Sequence, residues 1–99
     1  MSKNLPWFVE KFEDHDPEYF RLVKETVDKA MSPVELDEKT KYLVVLALDA
    51  YKGAAEGVKV VAKQAREAGA TEQEIIEVLR LVYFVSGMDA IKNSLNAFD

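Results

Sequence analysis

Tyr42-Leu43-Val44-Val45-Leu46-Ala47-Leu48 is a run of seven consecutive hydrophobic residues, and Leu79 to Met88 is a second stretch that is apolar on nearly every side. A helix without a polar face must be surrounded by protein. A chain of 99 residues buries only a modest share of its surface and would struggle to enclose two such helices alone. The pattern therefore predicts self-association, with one apolar face of each segment packed on a neighbouring copy. The β-branched residues of the first run also suit a buried strand, and periodicity alone does not separate the two. Helical caps on both sides and the length of the whole segment decide for helix.

The remaining punctuation is helical as well. Asp16-Pro17-Glu18 opens a helix: Asp caps free N–H groups, Pro fits the first turn and Glu meets the positive end of the dipole. Tyr19, Phe20, Leu22, Val23, Val27 and Met31 then fall largely on one face, and Ser32-Pro33 ends the segment. Trp7 to Phe12 predicts a short N-terminal helical turn that buries Trp7, Phe8 and Phe12. Asp37 caps the helix from Glu38 to Tyr51, and Lys52-Gly53 stops it. The next helix, Ala54 to Ala68, has apolar residues at 54, 58, 61, 65 and 68, the three-and-four spacing of one buried stripe. Ala68-Gly69-Ala70-Thr71 is the clearest boundary: Gly69 closes one helix in the left-handed conformation, and Thr71 with Glu74 makes a capping box for the next. Ser86-Gly87 is expected to kink or break that last helix, leaving Met88 to Phe98 as a final short one. The chain reads as a single all-α domain over 1–99, with an N-terminal helical region at 1–33 and the main helical body at 36–98.

Composition removes several function classes. Thirteen Lys plus Arg against eighteen Asp plus Glu give a net charge of −5, which disfavours nucleic acid and anionic membrane as partners. There is no cysteine, so disulfides, thiolate metal sites, iron–sulfur clusters and thiol redox steps are excluded. No signal-peptide pattern and no apolar stretch of membrane-spanning length is present, so the expected compartment is the cytoplasm.

Groups that do chemistry are few. His15 is the only histidine and sits in Glu13-Asp14-His15-Asp16, which reads as a solvated connector rather than a metal or general-base site, because no second ligand lies at helical spacing. Ser2, Ser32, Ser86 and Ser94 occupy no nucleophile elbow, and no Gly-rich phosphate loop occurs. Lys59, Lys63, Arg66 and Glu67 form an ordinary wet helix face. Tyr42, Tyr51, Tyr83, Phe84 and Met88 are expected in the core. Glu56 stands near a helix start beside Ala54, Ala55 and Gly57, small residues that let another helix or a ligand approach closely.

Leu36-Asp37-Glu38-Lys39-Thr40-Lys41-Tyr42-Leu43-Val44-Val45-Leu46-Ala47, Gly53, Ala65-x-x-Ala68-Gly69-Ala70-Thr71-x-x-Glu74-Ile75 and Gly87-Met88-x-Ala90 together resemble the carboxymuconolactone decarboxylase family, which includes the alkyl hydroperoxidase D-like proteins. The resemblance covers about Leu36 to Phe98. It implies a helical bundle built on a helical hairpin and assembled as a homotrimer or homohexamer. The redox branch of that family carries Cys-x-x-Cys-x-x-x-His at the start of a helix and a Glu one helix earlier. Those positions fall here on Ala54, Gly57, Val61 and Tyr42, so the resemblance does not bring thiol peroxidase chemistry with it. The decarboxylase branch generally keeps the histidine, here Val61, and Glu56 lies next to its acidic position.

The expectation is a non-redox member that binds a small molecule or serves as a scaffold, with Tyr42, Tyr51, Glu56, Gly57 and Val61 lining a pocket beneath the helix that starts at Ala54. The alternative is a cofactor-free lyase acting on a small organic acid or lactone, with Glu56 as acid and base. Neither reading calls for a cofactor or a metal.

Overall fold

The computed structural model describes residues 5–99. Regular structure among them is helical, with no strand: α1 Trp7–Phe12, α2 Pro17–Ala30, α3 Glu38–Lys52, α4 Ala55–Glu67 and α5 Glu72–Ser94, closed by a 3-10 turn at Leu95–Phe98. The protein is all-α. It divides between Leu36 and Asp37 into two compact units.

In the first unit, Asp16 caps α2 by accepting from the Tyr19 N–H at 3.0 Å, and Pro17 takes the first helical position. Phe20 is the buried residue of α2, whose last helical residue is Ala30. The short helix α1 forms over the expected residues, yet it buries none of Trp7, Phe8 and Phe12. Adjacent residues of a helix do not face one way, so these rings instead make edge-on pairs: Trp7 with Phe8 at 5.9 Å and Phe12 with Tyr19 at 6.3 Å.

The second unit is an α3–α4 hairpin with α5 alongside α3. Asp37 accepts from the Thr40 N–H at 2.7 Å and starts α3. Gly53, at φ 82°, ends it in the left-handed region that a side chain would strain. Thr71 and Glu74 make the reciprocal capping box of α5, at 3.0 and 2.8 Å. Arg66 spans the preceding turn to Glu72 at 2.7 Å, and Lys39 ties α3 to α5 through Glu74 at 2.9 Å. Tyr42, Leu46, Val61, Ala62, Ala65, Ala70 and Ile75 make the core, with Leu46 and Ala65 wholly buried. The small residues of α4 let the hairpin close tightly.

Two expectations fail here. Helix α5 runs unbroken through Ser86 and Gly87 to Ser94. A glycine inside a helix costs only about 1 kcal/mol, and Ser86 turns its hydroxyl back onto the Tyr83 carbonyl at 3.3 Å. Nor are the aromatic and methionine residues all core: Tyr42 is buried, whereas Tyr51, Tyr83, Phe84 and Met88 are exposed, Tyr83 by 80%. No helix among the described residues is long and apolar enough to cross a membrane.

Candidate functional site

The sequence-predicted residues separate into three places. Tyr42 and Val61 are core, 3% and 4% exposed. Glu56 lies exposed in the first turn of α4, so the apolar pocket that would make it a useful acid is not around it in this chain. Tyr51 is exposed at the far end of α3 and lines a groove against α5. Gly57 is half-buried on α4. Of the five, only Tyr51 lines that groove.

At the start of α4 the neighbour that matters is Asp49, a residue the sequence reading did not single out. A Cβ on Gly57 would stand 2.6 Å from Asp49 Oδ2. The α3 carboxylate thus occupies the space that a side chain at 57 would need, beside a helix whose N-cap residue, Ala54, supplies no side-chain hydrogen bond. Any substitution of Gly57, cysteine included, must first displace Asp49. The available signal was Asp49 itself, the one acid within the Tyr42–Tyr51 stretch.

The buried end of the hairpin holds two polar groups. The Tyr42 hydroxyl has no hydrogen-bond partner among the described residues, and a buried unsatisfied hydroxyl costs about 1–3 kcal/mol. The Lys41 ammonium lies 4.4 Å from the Tyr42 ring centroid and 2.8 Å from Glu38 Oε2. Its charge is thereby met from both sides although the residue is only 5% exposed.

The groove between α3 and α5 has a volume of about 480 Å³ and is lined by Leu43, Val44, Leu48, Leu81, Val82 and Val85 among others, with the side chains of Thr40 and Tyr51 the polar members. Thr40 and Tyr51 are eleven positions apart on one helix, roughly 16 Å at 1.5 Å per residue. The lining is therefore long and apolar. Near its Thr40 end, hydrogen bonding from the Thr71 backbone N–H, followed by the Lys39 ammonium, holds the Glu74 carboxyl below its usual range, and Glu74 raises Lys39 in turn. Hydrogen bonding from Thr40 lowers Asp37 in the same way. These charges are spoken for by the fold. Among the described residues no three His, Asp or Glu side chains gather as a metal site, and His15 lies in the turn before α2.

Residues 17–99 match the Carboxymuconolactone decarboxylase family. An uncharacterized protein of Methanocaldococcus jannaschii is 34% identical over 89 residues, which is 90% of this chain and 83% of that protein. No solved structure matches.

Proposed function

The chain belongs to the carboxymuconolactone decarboxylase family, and from that premise we propose that it is a non-redox, self-assembling member that binds an elongated apolar small molecule rather than performing thiol or acid–base chemistry. The groove between α3 and α5 carries this reading. Its volume of about 480 Å³ lies within the ~300–1,000 Å³ of small-molecule sites, and an apolar wall with a few polar groups is the usual composition of such sites. Tyr42, Ala54, Gly57 and Val61 supply no thiol, imidazole or carboxylate at the positions where the redox branch needs them. The homotrimeric or homohexameric state belongs to the same proposal and rests on the apolar surfaces of α3 and α5. Native mass spectrometry of the purified protein is the test: a co-purified hydrophobic compound is expected, and Leu48→Arg or Val82→Arg removes it. A ligand retained by both variants overturns the assignment to this groove. Turnover of a small organic acid or lactone that Glu56→Gln abolishes establishes the lyase reading instead.

A further inference from the structure

Helix α5 carries a stripe that nothing else within Asp37–Asp99 covers. Glu77, Leu81, Phe84, Met88 and Ile91 follow one another at spacings of four, three, four and three, and Leu95 continues the row; all six are exposed. Ile75, Val78 and Val82, which α5 turns inward, lie on the opposite side. Alternating four and three is the seam of two helices packed side by side. With Val85 and Phe98, itself 85% exposed, the row's apolar side chains present on the order of 800 Å², which is what each partner contributes to a stable interface. The largest apolar patch of an ordinary monomer is smaller, about 300–600 Å².

We infer that a second copy of this chain covers this stripe through a two-fold, antiparallel pairing of α5 with α5. The inference rests on the self-association proposed above and names its contact. The row is symmetric about position 86, so an antiparallel partner sets Leu81 opposite Ile91 of the second copy and Phe84 opposite Met88 of the second copy. Glu77 then meets Leu95 of the second copy, with Arg80 beside Ser94 of the second copy on the flank. A parallel partner would instead set Glu77 against Glu77 of the second copy, two like charges on a desolvated seam. Gly87, where an added Cβ meets nothing within 4 Å, flanks the axis. A two-fold contact requires an even number of subunits, which a simple trimer does not offer.

The absence of cysteine makes single introduced thiols clean reporters. Gly87→Cys and Ser94→Cys sit one heptad apart on the same flank. In the antiparallel pair Gly87→Cys lies beside its own equivalent, whereas Ser94→Cys is roughly 24 Å from its own along the axis. A short bifunctional maleimide is expected to give a covalent dimer with Gly87→Cys and none with Ser94→Cys alone, while a mixture of Ser94→Cys and Arg80→Cys crosslinks. Equal crosslinking at 87 and 94, or at neither, in a sample that light scattering shows to be oligomeric overturns the pairing and leaves self-association standing. A monomer of 11.2 kDa at micromolar concentration overturns both.

Discussion

The two halves of α5 are made of similar residues and meet different fates. From Glu72 to Val82 the helix starts in a capping box, is tied to α3 through Glu74 and Lys39, and turns Ile75 into the core. From Met88 onward every residue is exposed, although Met88, Ile91, Leu95 and Phe98 are as apolar as anything buried. Apolar character decides that a side chain leaves water; the fold of one chain decides only for those it can reach. The first half is held by intramolecular partners, and the second half has the composition of an interior without one.

That contrast breaks most directly in the core. Leu46 is 0% exposed, and truncating a buried leucine costs about 2–5 kcal/mol. Leu46→Ala is expected to lower the unfolding free energy, read from urea titration, by that amount at every protein concentration. Phe84→Ala is expected to leave the dilute chain within about 0.5 kcal/mol of wild type and to abolish the rise of stability with protein concentration that assembly confers. Equal costs for the two variants at high dilution would mean that Phe84 is packed within its own chain.

A smaller effect tests what fastens the first half. Thr71→Ala removes the side chain that accepts from the Glu74 N–H at 3.0 Å, a cap worth about 1 kcal/mol. The loss is expected in thermal unfolding and is expected to be unaccompanied by any change in oligomeric state. A change of assembly on Thr71→Ala would show that the two halves are not separable.

Local chemistry explains what was legible in the sequence. Asp16, Asp37, Thr71 with Glu74, Gly53 and Gly69 act within four residues of themselves, so their roles follow from the sequence alone. The amphipathic α4 was equally readable, because Val61 and Ala65 sit on one stripe. The candidate site was not. Helix α3 is apolar nearly all round, so nothing in its pattern states that Tyr42 turns into the core while Val44, Leu48 and Tyr51 line a groove. The Asp49–Gly57 approach is a hairpin contact between helices, invisible to spacing within either. Gly87 misled in the opposite direction, since a lone glycine weakens a helix without ending it.

Acid titration sharpens the same contrast. Asp37, at the cap of α3, and Glu72 and Glu74, in the first turn of α5, have carboxyls held below their ordinary values by those caps and ion pairs. A carboxyl lowered in the folded state contributes stability that is full above its unfolded value, about 4, and is lost as pH falls through the folded value. Stability is thus expected to be flat from pH 6 to 8 and to decline below about 4. Asp37→Asn and Glu74→Gln are expected to flatten that decline, read from unfolding midpoints between pH 2 and 6. An acid slope unchanged in both variants would assign it to other carboxyls.

Gly87→Ala gives the smallest effect and the finest distinction. Gly87 lies inside α5, has no positive φ, and leaves open space for a Cβ. Alanine there removes backbone freedom from the unfolded chain and is expected to stabilise the helix by about 0.5–1 kcal/mol. Where that gain is registered says how the two halves are coupled. If residues beyond 87 melt together with the capped half, the whole-chain unfolding midpoint rises. If the second half frays on its own, the midpoint stays and only the far-UV helical signal at low temperature increases, because local opening draws on a lower free energy than global unfolding. An apolar half-helix that gains its order from a second copy predicts both results from one variant. The helical signal alone moves in the dilute monomer, and the midpoint moves once the assembly forms. A raised midpoint in the dilute monomer would show that the chain orders this segment without help, and the contrast between the halves would then be one of exposure rather than of stability.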